Sequence, residues 1–271
     1  AHLYTVPVSC ALPGAVASLR TRWGSTFPKP LVRQQKRNTR FASVLFPLAY
    51  IPRHRLRRKE ENHIAIFHCP IQIIKRSVGR SAIAAAAYRS GEKLTSEWDG
   101  LTRDYTHKPG VVHSEIMLPA HAPPEFADRS TLWNSVEQIE KSSDAQLARE
   151  IEVALPVELS RAAQLALVRS FVKDNFVAEG MCADFALHDK GDGNPHAHIM
   201  LTIRPLREDG KWGAKCRKVY DLDSQGNRIP DGKGGWKNHR EDTTDWNNRE
   251  NAEKWRAAWA AYANRALEAA G

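Results

Sequence analysis

The sequence lacks the features that would place it in a membrane or hold it together with disulfides. No apolar run approaches the roughly 20 residues of a membrane-spanning helix, and no charged start with an apolar stretch and cleavage site indicates a signal peptide. The 4 cysteines are scattered, at Cys10, Cys69, Cys182 and Cys216. This spacing disfavours both a disulfide framework and a cysteine-based zinc site, and it predicts a reducing, cytoplasmic location.

Acidic residues are nearly absent from the first part of the chain. Residues 1–62 contain 12 of the 40 Lys and Arg residues but only 2 of the 31 Asp and Glu residues, so their net charge is +10 and the rest sums to about −1. We expect this segment to be disordered, either as a basic DNA-contacting arm or as sequence outside the native protein. Residues 63–271 are predicted to form one folded domain.

The order of predicted elements in that domain favours an α+β fold. Strands are expected over 64–74, 111–118, 147–155, 181–188 and 196–203, and helices over 82–94, 125–141, 160–179 and 244–270. This order predicts a mainly antiparallel sheet with helices packed on one face. The segment 204–244, rich in Gly, Asp, Asn and Lys, is expected to be a long exposed loop.

Three histidines form the most informative pattern in the chain. His196 and His198 alternate along one predicted strand, so they share a face, and His188 ends the preceding strand across a turn of Gly, Asn and Pro. Three imidazoles without thiolate or carboxylate suit a divalent ion that keeps open coordination positions. The alternative is that one or two of these histidines only satisfy local hydrogen bonds.

Two further patterns are candidates for chemistry. Tyr88 follows four alanines on a helix, close in sequence to the cations Arg80, Arg89 and Lys93. A phenol with a pKa near 10 becomes a nucleophile only beside a metal and cations, and the alternative is a core tyrosine with a bonded hydroxyl. Glu150 and Glu152 alternate with apolar residues on a strand, where one of the two either orients a metal-bound imidazole or forms a surface ion pair.

Several of these segments together resemble the MobA/MobL family of plasmid mobilisation relaxases, over about residues 64–270. The resemblance rests on Ala65–His68, Gly79–Lys93, Ala148–Ile151, His188–His198, Asp245–Asn247 and Trp255–Trp259. It implies an HUH-type endonuclease with a five-stranded antiparallel sheet, a three-histidine metal site and one nucleophilic tyrosine.

Residue by residue, the resemblance assigns Tyr88 as nucleophile, Glu150 as a motif carboxylate, and His188, His196 and His198 as ligands of Mg²⁺ or Mn²⁺. Residues 63–271 would then be a relaxase nuclease domain, with Arg80, Arg89, Lys93 and Lys190 as DNA-binding cations.

The implied reaction is strand-specific nicking at an origin of transfer through a 5′-phosphotyrosyl intermediate, on single-stranded or extruded DNA. Accessory relaxosome proteins and a coupling protein are the implied partners. The alternatives are a rolling-circle replication initiator, a single-tyrosine transposase, or a non-catalytic DNA-binding module with a structural metal.

Overall fold

The computed structural model describes residues 68–271, so the predictions for residues 1–62 and for a domain boundary at 63 lie outside the described residues. In chain order the elements are β1 (Ile71–Lys75), α1 (Ala82–Ser90), β2 (Lys93–Thr95), β3 (Thr102–Asp104), β4 (Val111–Met117), α2 (Arg129–Ile139), β5 (Gln146–Ala154), α3 (Arg161–Val172), β6 (Ala183–His188), β7 (His196–Thr202), β8 (Cys216–Tyr220), β9 (Asn238–Asp242) and α4 (Glu250–Ala270). Within this range no helix combines the length and hydropathy that crossing a bilayer requires.

Five of the strands form one antiparallel sheet in the order β1-β5-β7-β6-β4, which confirms the predicted fold class. The neighbours β6 and β7 form a hairpin in which His188 lies opposite His196. On the other side of β7, Glu152 of β5 lies opposite His198. The register therefore brings the histidines and the acidic positions of β5 together at one end of the sheet.

Helices cover both faces of this sheet, so the expectation of helices on one face only is wrong. Alternate residues of the central strands, such as Ile151, Phe185 and Ile199, pack under α3 and α4. The intervening positions include the buried apolar residues Ala148 and Met200, which pack with α1 and α2. Because each face buries apolar side chains, each needs a helical layer to exclude water.

Local sequence explains where α1 begins and ends. The Ser81 side chain accepts a hydrogen bond from the Ala84 N–H, and Gly91 ends the helix in the left-handed conformation at φ 72°. The predicted helix over 82–94 therefore stops at Ser90. The following residues form the small β2–β3 hairpin instead.

A buried ion pair joins α2 to the sheet on the face that α1 covers. Arg129 donates from Nε and Nη2 to Asp184 of β6 at 2.8 and 2.9 Å, and the Trp133 indole donates to the same carboxylate at 2.8 Å. Glu92, just after α1, also accepts from Arg129. Each buried charge thus has a partner, which avoids the cost of a lone charge in the core.

The tryptophan stripe of α4 packs as the helical spacing predicted. Trp255 and Trp259 are buried, and their rings contact Phe176 and Phe171 respectively. In the segment expected to be a loop, β8 and β9 pair as a two-stranded ladder. Arg217 and Glu241 lie opposite each other in it and form an ion pair, a cross-strand contact that stabilises such a hairpin.

Candidate metal centre and tyrosine site

The three histidines converge on one point at the end of β6 and the start of β7. One ring nitrogen from each of His188, His196 and His198 lies within 4.8 Å of the others. Side chains alternate along β7, so His196 and His198 share a face while Ala197 between them is buried in the core. This spacing allows one divalent ion to contact all three rings.

Protein oxygens engage one nitrogen of each ring. His188 Nε2 lies 2.7 Å from the Arg89 carbonyl oxygen, His196 Nδ1 lies 2.9 Å from the Asn194 carbonyl oxygen, and His198 Nδ1 lies 3.0 Å from Glu150 Oε1. A nitrogen bonded to an oxygen acceptor carries the proton, so the other nitrogen of each ring keeps its lone pair for a metal. Fixing the tautomer and ring orientation in this way is typical of metal-bound histidines.

His188 is the most buried of the three. Burial, together with the nearby Lys108, His198 and His196, lowers its pKa to about 4, although the hydrogen bond to the Arg89 carbonyl acts in the opposite direction. The imidazole is therefore neutral at neutral pH, which is the form that binds metal ions.

Glu150 supports the histidines from the neighbouring strand. Its side chain is fully buried and accepts from His198, from Arg89 of α1 and from Gln72 Nε2 of β1 at 2.9 Å. Burial alone would raise the pKa of Glu150, but the hydrogen bonds from His198 and Arg89 outweigh it and the pKa is lowered. A charged carboxylate thus orients His198, while Glu152 lies farther away, at 3.7 Å.

Tyr88 lies in the last turns of α1, next to the residue whose carbonyl contacts His188. Its side chain is 46% exposed, whereas the alanines Ala86 and Ala87 before it are buried against the sheet. The Tyr105 ring packs edge-on against the Tyr88 ring, with 5.2 Å between the centroids. The alternative of a core tyrosine does not apply, since nearly half of the Tyr88 residue is exposed.

Lys108, in the loop between β3 and β4, was not identified from the sequence. Its Nζ donates to the Tyr88 carbonyl at 2.8 Å, lies 3.8 Å from the centroid of the Tyr88 ring and is 3.5 Å from His188 Nε2. Burial, Arg89 and Lys190 lower its pKa to about 8. No local sequence pattern distinguishes this lysine from the other cations, because only the fold brings its loop to α1.

The four predicted DNA-binding cations differ from one another in exposure and in hydrogen-bond partners. Arg80 is exposed and donates to Gln72 at 2.9 Å, and Lys190 is exposed near Lys108. Arg89 is turned inward, where it binds Glu150, the carboxylate that contacts His198, and the Ala85 carbonyl. Lys93 pairs with Asp104 at 3.4 Å on the β2–β3 hairpin.

The family model described as MobA/MobL family matches residues 80–271. The chain belongs to the MobA/MobL family. This match includes the histidines, Tyr88 and Glu150, and it covers every element from α1 to α4.

Individual relatives agree with this membership. The chain is 46% identical over 180 residues to "Conjugal transfer protein TraA" of Agrobacterium fabrum, covering 63% of this chain and 16% of that protein. It is 37% identical over 191 residues to "Mobilization protein MobL" of Acidithiobacillus ferridurans, covering 61% of this chain and 50% of that protein. It thus spans at most half the length of these curated relatives.

A solved structure has the same fold. The chain titled "Molecular Basis of Vancomycin Resistance Transfer in Staphylococcus aureus" matches with a TM-score of 0.65 and 29% sequence identity, covering 76% of this chain and 95% of that one.

Proposed function

We propose that this MobA/MobL-family chain is a relaxase domain that nicks one DNA strand during conjugal mobilisation. The observation that carries the proposal is the junction of α1 with the histidine cluster: the Arg89 carbonyl contacts His188, and Lys108 Nζ lies near both His188 and the ring of the exposed Tyr88. The names of the relatives support transfer of DNA between cells as the process over replication or transposition.

The residues present fit a divalent metal. His188, His196 and His198 supply three nitrogen ligands, and each ring is held by a protein oxygen. Three ligands leave coordination positions open, which suits a catalytic rather than a closed structural site. Mg²⁺ or Mn²⁺ bound there supplies Lewis-acid polarisation of a phosphate oxygen.

The proposed chemistry is a transesterification by Tyr88. The phenolic oxygen loses its proton to solvent and attacks the phosphorus of one phosphodiester, forming a P–O bond to tyrosine. The bond from phosphorus to the 3′ oxygen breaks, and that oxygen takes up a proton as it leaves. The 5′ phosphate stays attached to Tyr88, and because one phosphoester bond replaces another, a 3′ hydroxyl can reverse the step.

Lys108 and Lys190 add positive charge on the tyrosine side of the site. The Lys108 ammonium lies over the Tyr88 ring, where it favours both the phenolate and an approaching phosphate. Substrate in the proposal is single-stranded or extruded DNA from an origin of transfer, which lets a phosphodiester reach the exposed phenol.

Replacing the nucleophile is the most direct test. Tyr88→Phe removes only the attacking oxygen, so we expect covalent capture of a cleaved origin oligonucleotide to fall to background while DNA affinity and Tm stay unchanged. Denaturing gels measure the protein–DNA adduct. The matched control is Tyr105→Phe, whose ring packs against Tyr88 and which should still form the adduct. An adduct with Tyr88→Phe would show that another group attacks.

The metal ligands are tested by His198→Ala. Loss of one ligand should weaken Mn²⁺ binding by at least about 100-fold, and cleavage should fall with it and recover in part at high Mn²⁺. Titration calorimetry and the nicking assay measure the two effects. His239→Ala, at an exposed position on β9, is the control. Unchanged metal affinity in His198→Ala would contradict the assignment.

A further inference from the structure

Arg149 of β5 is a buried guanidinium without a carboxylate partner. The residue is only 4% exposed, and it forms no ion pair with any residue of 68–271. Its Nη2 donates to Asn247 Oδ1 at 2.8 Å, its guanidinium lies 5.0 Å from the centre of the Trp255 ring, and its Nη1 has no hydrogen-bond partner in the described part of the chain. Burial lowers the pKa of Arg149 to about 10, with no acid to oppose it.

Other inward-facing arginines are compensated. Arg129 pairs with Asp184, Arg89 pairs with Glu150, and Arg204 pairs with Glu140. A buried charge that lacks such a partner costs several kcal/mol. Arg149 is therefore unlike these arginines, and an anion from outside the chain would compensate it.

A cavity of about 820 Å³ is available to such an anion. Arg149 and Asn247 form part of its wall, together with Arg204, Lys215 and Arg240. Arg240 is exposed and makes no ion pair within residues 68–271. The cavity therefore presents both a buried and an accessible cation.

Carboxylates also line the cavity, but they do not neutralise Arg149. Glu140 is shared by Arg204 and Lys215. Asp144 and Asp242 make no ion pair with Arg149. The four lining cations exceed the three lining carboxylates by one positive charge.

The cavity is separate from the histidine site. Arg149 and Glu150 are consecutive on β5, so their side chains point to opposite faces of the sheet. Arg149 also lies five residues before Ala154, which is opposite His196. That is roughly 16 Å along the strand.

We propose that the cavity beside Arg149 binds a phosphate group, supplied by the backbone of a DNA strand that runs past β8 and β9. Arg149 Nη1 offers N–H donors that have no partner within residues 68–271, and Arg240 adds a charge at the cavity wall. This site does not depend on cleavage by Tyr88.

The experiment uses the full chain without metal, in EDTA, so that its outcome is independent of nicking. Tm is measured with and without inorganic phosphate at constant ionic strength, and the salt dependence of binding is measured for a single-stranded oligonucleotide. Arg149→Met keeps the volume and removes the charge, Arg240→Gln changes an exposed residue that cannot disturb the core, and Arg265→Gln on the exposed side of α4 is the matched control.

Phosphate should raise the Tm of the wild type, raise it less in Arg240→Gln and leave Arg149→Met unchanged. The plot of log binding constant against log salt concentration should become shallower in Arg149→Met. The magnitude of its negative slope should decrease by about 0.7, the value for one lost single-strand phosphate contact. Arg265→Gln should retain the phosphate-induced rise in Tm.

The other combinations of the Tm and salt-slope results either support or overturn the proposal. A loss of the phosphate effect on Tm with an unchanged salt slope would show that free phosphate is the ligand and would overturn the DNA source. A reduced slope without a phosphate effect on Tm would support the DNA source alone. Equal phosphate effects in the wild type, Arg149→Met and Arg240→Gln, with an unchanged slope, would overturn the site.

Discussion

The two faces of the five-stranded sheet differ in chemistry although the same strands build both. Under α3 and α4 the centre is apolar, with Phe171, Phe176 and Trp259 packed ring against ring, and a buried charge, Arg149, lies beside Trp255. Under α1 and α2 the layer contains buried charges, among them the acidic side chains of Glu137, Glu150 and Asp184. Each of those charges is paired, which makes a polar layer tolerable inside the fold.

This difference shows how a strand can support the fold and the site at once. In β7, Ala197 and Ile199 belong to the apolar layer while His196 and His198 face the other way. Because side chains alternate with period 2, a change at one position affects mainly one face. Stability and metal binding should therefore respond to different residues.

The largest expected effect is on the apolar face. Phe171→Ala empties a fully buried site, so the free energy of unfolding should fall by about 3–5 kcal/mol. For about 200 folded residues this lowers Tm by roughly 6–20 °C. Metal affinity should not change below the new Tm, as calorimetry can measure.

Val157→Ala is the control for that experiment, since Val157 is 50% exposed and its loss should cost under about 0.5 kcal/mol. A large loss of metal affinity in folded Phe171→Ala would break the distinction between the faces.

A smaller effect is expected on the polar face. Glu150→Gln keeps an oxygen acceptor for His198 but removes the charge that Arg89 binds, so Mn²⁺ affinity should fall about 10- to 100-fold. Calorimetric titration measures it. Glu152→Gln, at the more exposed and more distant carboxylate, should change the affinity less. Equal effects of the two substitutions would mean that Glu150 acts only through the net charge of the strand.

The smallest effect concerns Lys108. Lys108→Met removes the ammonium above the Tyr88 ring, so the single-turnover rate of adduct formation should fall by about 5-fold, since cation–π contacts contribute on the order of 1 kcal/mol. Metal and DNA affinity should persist, and Lys108→Arg should restore part of the rate.

Lys93→Met is the control, since the Lys93 ammonium pairs with Asp104, whereas the cation over the Tyr88 ring is Lys108. If Lys108→Met forms the adduct at the wild-type single-turnover rate, the lysine contributes only packing against the Tyr88 ring and not to the reaction.

Much of the scaffold follows from local pattern. Ser81 and Ser160 occur where their side chains cap α1 and α3, and the alternation of β7 predicts which of its residues face the core. The turn between His188 and His196 is short enough to make those strands neighbours, so the meeting of these histidines was predictable. The presence of helices on both faces of the sheet was not predictable, because apolar alternation shows that a face is buried but not what covers it.

Local sequence determines most of the elements, their caps and the histidine spacing, because each depends on contacts between residues close in the chain. Tertiary structure alone decides the contacts of Lys108 with Tyr88, of Gln72 with Glu150 and of Arg149 with Asn247. These pairs are separated by 20, 78 and 98 residues. No local pattern encodes such contacts, since they exist only once the antiparallel register has brought the loops and strands together.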